Sequence, residues 1–237
     1  MDIIKKLAQE LAIKEEQAKA AVQLIDEGNT IPFIARYRKE MTGALNDETL
    51  RNLHERLLYL RNLEEKKEQV INAITDQGKM TEDLKKKILS AETLVAVDDL
   101  YRPYRPKKQT RATKAKEKGL EPLANILLLQ KTTKSMEEEA AAFVNAEKGV
   151  ANAKEAIAGA KDIIAEMIAD MADYRKSIRN CTMKQGSLVV KAKDEKAESV
   201  YEMYYDFREP LSKVTGYRVL AINRGEKEKF LTVKVEA

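Results

Sequence analysis

The sequence predicts a mainly α protein: a multi-helix body with a helix-turn-helix-like subdomain and a few short C-terminal β-strands. Three observations carry this. Apolar residues recur at helical spacing over most of the chain, and 43% of residues are hydrophobic, enough to bury a core. Gly (9) and Pro (5) are scarce while 35% of residues are charged, which suits long solvated helices better than a sandwich or barrel with many turns. After Gly186 the period changes, and short apolar runs replace the helical stripes.

The first elements form a helical hairpin. Ile4, Leu7, Ala8 and Leu11 fall at i, i+3, i+4, i+7, and Ala18, Ala21, Val22 and Ile25 repeat that spacing before Gly28, a C-cap. Pro32 pushes Ile31 away from the helical region, which leaves the conformation of Phe33–Lys39 open. Asn46 or Asp47 caps a helix running to Gly78, with Leu50, Leu53, Leu57 and Leu60 on one stripe and Val70, Ile71 and Ile74 continuing it. At about 1.5 Å per residue such a helix is about 45 Å long. Its Glu64–Glu68 stretch reads as a solvated face.

Thr81 starts the next helix and Leu94, Val97 and Leu100 mark another. Tyr101–Lys118 is a break rich in Pro, Lys and Arg, where Pro103 and Pro106 predict an extended, stiff backbone. Pro122 suits the first turn of a helix carrying Leu123, Ile126, Leu127 and Leu129, and Ser135 with Glu138 is a capping-box pattern. Ala151–Met171 reads as a helix with Ile157, Ile164, Ile168 and Met171 on one side, and Asp173 caps a shorter helix through Cys181. Ser187–Lys191, Arg218–Asn223 and Phe230–Val235 read as strands, the last two joined by a turn over Arg224–Glu228. The expected regions are 1–134 (helices, long helix and basic loop), 135–186 (the helix-turn-helix-like part) and 187–237 (strands). A terminal hairpin is marginal by itself. It hints at truncation, with packing on the preceding helices as the alternative.

Composition bounds function as well. Forty-three basic and 39 acidic residues leave a net charge of +4, too small a surplus to argue for nucleic acid without a local cluster. A lone cysteine, Cys181, rules out an intrachain disulfide and fits a reducing compartment. No apolar run approaches the roughly 20 residues that span a bilayer, and the start lacks a signal-peptide core. A soluble, cytoplasmic protein without a membrane partner is the expectation.

Four stretches carry a resemblance: GNTIPFIARYRKE at Gly28–Glu40, followed by Thr42-Gly43; Ala91–Leu94 with DDLYRPYRPKK at Asp98–Lys108; TRATKAKEKGLEPLA at Thr110–Ala124; and YRVLAINRGEKE at Tyr217–Glu228. Together they resemble the N-terminal region of the bacterial Tex family of transcription accessory proteins, over nearly the whole chain. The resemblance implies a helical region that, in longer family members, precedes an RNase-H-like domain, a helix-hairpin-helix element and a C-terminal OB-fold that binds RNA. It also implies similarity to a eukaryotic elongation factor that chaperones histones. RNA or DNA, the transcription machinery and the downstream domains of the same polypeptide are the implied partners.

The strongest candidate site is the basic segment. Tyr101–Lys118 holds eight cations against one carboxylate, net +7 in 18 residues, more than the whole chain's surplus. Phosphate neutralisation needs such a cluster, and Tyr101 and Tyr104 are placed to stack on bases. The residues expected to meet nucleic acid are Arg102, Arg105, Lys107, Lys108, Arg111, Lys114 and Lys116. The alternative is a Pro-stiffened loop whose cations pair with acidic helix faces. Arg36, Arg38 and Lys39 form a smaller basic cluster, better read as structural, with Ile31, Phe33, Ile34 and Tyr37 packed beneath. Arg175, Lys176, Arg179 and Lys184 would line the second helix of a helix-turn-helix, although tri-helical packing is common without reading DNA.

Catalysis finds little support. His54 is the sole histidine, so a zinc site is not expected. Cys181 reads as a buried or inert thiol, and there is no phosphate-binding Gly-rich loop. Asp98-Asp99 is explained by capping or by pairing with Arg102 or Arg105 as well as by metal. No cofactor and no enzymatic activity are expected. A nucleic-acid-associated module and a helical scaffold for other domains or proteins are the two readings left.

Overall fold

The computed structural model of the protein describes residues 2–106 and 108–237. The chain divides into two compact units, Met1–Pro106 and Lys107–Ala237. It is mainly α: the described residues hold twelve α-helices and one three-stranded sheet.

In the first unit, α1 (Ile3–Glu10) is capped by Asp2, whose carboxylate accepts from the Lys5 amide at 3.1 Å. It packs against α2 (Glu15–Asp26), and α3 (Ile31–Tyr37) follows. Pro32 does not keep Ile31 extended as expected. It sits in the first turn of α3, where its missing N–H has no helical acceptor to lose and its fixed φ suits the helix. The Gln17 side-chain amide donates to the carbonyls of Thr42 (3.3 Å) and Gly43 (2.9 Å), fastening the turn after α3 to α2.

The 30-residue α4 (Asp47–Asp76) is capped by Asn46, which accepts from the Thr49 amide at 2.7 Å. Leu50, Leu53, Leu57 and Leu60 are buried with Leu7, Leu24 and Ile34 in a core shared with α1, α2 and α3. Leu63, Val70 and Ile74 are buried in a separate core with α5 (Glu82–Ser90) and α6 (Leu94–Tyr101), through Ile88 and Val97. One helix is therefore the wall of two successive cores.

The expected solvated face at Glu64–Glu68 is interrupted. Lys67 is 2% exposed, and its ammonium donates to Glu64 Oε1 at 2.8 Å and to the Leu89 carbonyl at 2.9 Å. The reason is register: Lys67 continues the steps of three and four that run through Leu60, Leu63, Val70 and Ile74.

The second unit is built on α10 (Ala153–Asp170). It packs against α7 (Arg111–Glu117), α8 (Glu121–Leu129) and α9 (Met136–Ala141), burying Leu120, Leu123, Ala156, Ala160 and Ile163. The capping box at Ser135 and Glu138 forms as expected. Gly159 lets α10 and α7 approach closely, because a Cβ there would overlap Leu120 Cδ1 and lie 3.2 Å from Ala115 Cβ. A single residue, Met171, joins α10 to α11 (Ala172–Gln185), whereas helix-turn-helix motifs use about three or four.

The sheet order is β2-β1-β3, antiparallel throughout, with β1 (Ser187–Ala192), β2 (Asp206–Pro210) and β3 (Leu231–Glu236). Val190 faces Phe207 on one side and Val233 on the other. The expected strand at Arg218–Asn223 is instead part of α12 (Gly216–Lys227), and the expected turn at Arg224–Glu228 falls within and just beyond its last turn. Ile222 and Gly225, three apart, are the buried residues of α12, beside Tyr201 and Leu231. Arg218 binds α12 to β2 by donating to Glu209 at 2.5 Å while lying 5.7 Å from the Phe207 ring centre. The third strand is thus β2, a segment with no alternating apolar pattern to announce it.

Candidate nucleic-acid interface

The expected extended run of cations is broken into two folded pieces. Pro103 lies in a 3-10 turn, Arg102–Tyr104, directly after α6, and helix begins again at Arg111. A proline φ fits the start of a helical turn as well as an extended chain, and here the turn is the outcome.

In the first unit, Arg102 is exposed in that turn and makes contacts within the protein. The Arg105 guanidinium donates to Asp98 Oδ1 at 2.9 Å and lies 5.5 Å from the Tyr101 ring centre. Asp98 therefore acts as an ion-pair partner, shared with Lys66 at 3.9 Å. Lys107 lies outside the described residues.

In the second unit, Lys108 is exposed ahead of α7. Thr110 caps α7 by accepting from the Thr113 amide at 3.1 Å and donates to Glu166 Oε2 of α10 at 2.8 Å, which fixes the start of the helix. Arg111, Lys114 and Lys118, at i, i+3 and i+7, face one way and line a cleft of about 260 Å³ with Glu155 and Asp162 of α10. Arg111 Nε lies 3.6 Å from Asp162, and the Lys118 ammonium donates to the Gly149 carbonyl at 2.7 Å. Lys116 points elsewhere and pairs with Glu121 at 3.3 Å.

The structure thus brings Arg111 and Lys114 together, adds Lys118, and separates Lys116 from them. Lys148 also comes close, since its ammonium would lie 3.6 Å from a Cβ at Gly119. Lys118 was within the basic segment and its place on the face follows from i+7. Lys148 is contributed by a loop thirty residues further along, which no local pattern announces. Three cations against two carboxylates leave the cleft only slightly positive, so its reach for phosphate lies in the outward tips of Arg111 and Lys114. The Arg111 side chain is 87% exposed.

Other candidates resolve differently. Tyr37 is 66% exposed and does not pack inward as expected: α3 is short, Ile34 alone takes its buried face, and Tyr37 rests against Phe33 at 5.3 Å. Arg38 lies 5.2 Å from the Phe33 ring centre. His54 is half-buried on α4. Cys181 is exposed, contrary to the buried reading, because α11 buries no residue. No group of three or more metal-ligating side chains occurs among the described residues, and no described helix is long and apolar enough to cross a membrane.

The α4 spine with its two cores, followed by the α10 hub and small sheet, defines a mainly α protein with a small antiparallel sheet. A family model described as Tex-like protein N-terminal domain matches residues 1–75, and one described as Tex central region-like matches residues 131–237. The chain belongs to the Tex family. It is 44% identical to "Uncharacterized protein YdcI" of Bacillus subtilis, with 97% of this chain and 32% of that protein covered. It is 41% identical to "Transcriptional accessory protein Tex" of Neisseria gonorrhoeae, with 100% of this chain and 31% of that protein covered. With "S1 RNA-binding domain-containing protein 1" of Homo sapiens it shares 33% identity, over 99% of this chain and 24% of that protein. The chain spans less than a third of the length of these relatives.

Proposed function

We propose that this chain is the helical module of a cytoplasmic transcription accessory protein and contacts RNA or DNA through phosphates, without chemistry of its own. The observation that carries this reading is the basic face of α7, where Arg111, Lys114 and Lys118 project from one side of a helix whose start is fixed by Thr110. Names of relatives that refer to transcription and to S1 RNA binding support it. Such contacts neutralise phosphates and read no sequence. If about three phosphates are met, the log–log salt slope on single strands is near −2, at about −0.7 per phosphate.

The test is fluorescence anisotropy of this chain with a single-stranded RNA oligonucleotide across a salt series. Arg111→Glu with Lys114→Glu is expected to abolish binding and leave the thermal melt unchanged, since both side chains are exposed. Unchanged affinity in that double variant overturns the proposal. Incubation with nucleotides and nucleic acid is expected to give no turnover that a point substitution in this chain removes. The pairing of Arg105 with Asp98, Arg111 with Asp162 and Lys116 with Glu121 favours the second reading, a helical scaffold for proteins or further domains. Absence of any salt-sensitive binding would select it.

A further inference from the structure

The first unit carries an aromatic and basic cluster at the end of α3 that the α7 face does not include. Phe33 and Tyr37 lie at i, i+4 on α3, with ring centres 5.3 Å apart and planes tilted by 45°. Tyr37 is 66% exposed, so most of its ring stays in water. Arg36, Arg38 and Lys39 flank it in sequence, all exposed, against Glu40 alone. The Arg38 guanidinium lies over the Phe33 ring and donates to the Tyr37 carbonyl at 3.3 Å. Among the described residues no carboxylate pairs with Arg36, Arg38 or Lys39, whereas Arg105, Arg111 and Lys116 each have one.

The backbone beneath this cluster is fixed. Thr42 is wholly buried and its amide donates to the Arg38 carbonyl at 3.1 Å. Its hydroxyl lies 3.2 Å from the Arg38 carbonyl and 3.3 Å from that of Lys39, which also accepts from the Ala44 amide at 2.7 Å. Gln17 holds the carbonyls of Thr42 and Gly43 from α2. A backbone ordered in advance lowers the cost of binding. The same bonds occupy carbonyls at the end of α3 that would otherwise repel an anion.

We propose that this cluster binds single-stranded nucleic acid by its bases, one base stacking on Tyr37 while Arg36 and Lys39 meet the phosphates beside it. Aromatic rings interleaved with cations suit a single strand, because every base has a π-face and the backbone carries the charge. A duplex fits poorly, since its base faces are covered by neighbouring bases. An acidic protein segment would satisfy the cations and leave the Tyr37 ring without a partner. The proposal does not rest on the α7 face, which belongs to the other unit and meets phosphates without bases. With one or two bases stacked, the dissociation constant is on the order of 0.1–1 mM, too weak to register in an anisotropy titration with a micromolar strand.

The test is amide-resolved NMR of the isotope-labelled 237-residue chain, titrated with an adenine trinucleotide and with an abasic trimer carrying the same phosphates. The amides of residues 36–41 are expected to shift with the trinucleotide, and the abasic trimer to bind at least about tenfold more weakly. Tyr37→Ala is expected to weaken the trinucleotide at least about fivefold and to leave the abasic trimer unchanged, and Tyr37→Phe to match the parent. Arg36→Glu with Lys39→Glu is expected to weaken both ligands. All three side chains are exposed, so these variants keep the parent's melt. Equal binding of the two trimers, unchanged affinity in Tyr37→Ala, or tighter binding of a glutamate-rich peptide at the same amides would each overturn the proposal. Shifts confined to α7 would overturn it and leave the α7 reading standing. Shifts at residues 36–41 with none on α7 would uphold it and count against that reading.

Discussion

At the residue scale, charge inside and at the edge of the first unit decides more than the basic segment does. Lys67 is an ammonium in the apolar stripe of α4, satisfied by one carboxylate and one backbone carbonyl. Lys67→Met keeps the volume and removes the donor, leaving the Leu89 carbonyl without this partner. The expected cost is about 1–3 kcal/mol by chemical denaturation. A stabilised variant would show instead that desolvating the ammonium outweighs its hydrogen bonds.

Two ion pairs tie the hairpin to the spine. Arg56 donates to Glu10 of α1 at 2.8 Å, and Arg61 donates to Asp26 of α2 at 2.8 Å. The Arg56 hydrogen bond holds the Glu10 carboxyl below its ordinary range, and the Arg61 hydrogen bond does the same for Asp26. For a carboxylate depressed in the folded state, the stabilisation is present above its unfolded pKa, about 4, and disappears as pH falls through the lower folded value. The melting temperature is therefore expected to drop below about pH 4, and Arg56→Ala with Arg61→Ala to flatten that part of the profile. Both pairs are partly exposed, so together they contribute only about 1 kcal/mol, less at high salt.

At the element scale, α4 and α10 are the two helices on which the units depend. Leu57 is fully buried in the stripe of α4, and Leu57→Ala should cost about 2–5 kcal/mol of unfolding free energy. A loss below about 0.5 kcal/mol, the size of a surface change, would remove α4 from the core. On α10, Gly159→Val adds volume where Leu120 is already packed, and should cost about 1–3 kcal/mol. The leucine stripe of α4, its Asn46 cap and the Ser135 capping box were legible because each is local: spacing and a side chain three residues from its amide. The segment Arg218–Asn223 was misread for the opposite reason. Val219, Leu220, Ala221 and Ile222 form a short apolar run without a period of its own, and packing of Ile222 and Gly225 against the sheet selects helix. β2 was missed because Asp206-Phe207-Arg208-Glu209-Pro210 has little strand propensity, and only pairing with β1 makes it a strand. In the candidate site, the cations were legible but their partners were not: Asp162 and the Gly149 carbonyl reach them only through folding.

At the scale of the whole molecule, the boundary at Pro106 and Lys107 cuts through the basic segment, so Arg102 and Arg105 belong to one unit and Lys108 to Lys118 to the other. Each unit contains complete cores. Residues 1–106, produced alone, are expected to be helical and to melt in one cooperative transition, because both cores along α4 close within them. A broad, non-cooperative melt would show that the second unit is needed to complete the first.

The shared wall also sets a timetable for synthesis. The core around Leu50 to Leu60 has every partner it needs once α4 is half made, because α1, α2 and α3 precede it. The core around Leu63, Val70 and Ile74 must wait for α6, which ends at Tyr101. At about 5–20 residues per second, the roughly forty residues between Leu60 and Tyr101 take about 2–8 s to translate. During that interval the nascent chain carries a finished bundle at one end and a bare leucine, valine and isoleucine ridge at the other, the kind of surface that chaperones hold and that neighbouring nascent chains stick to.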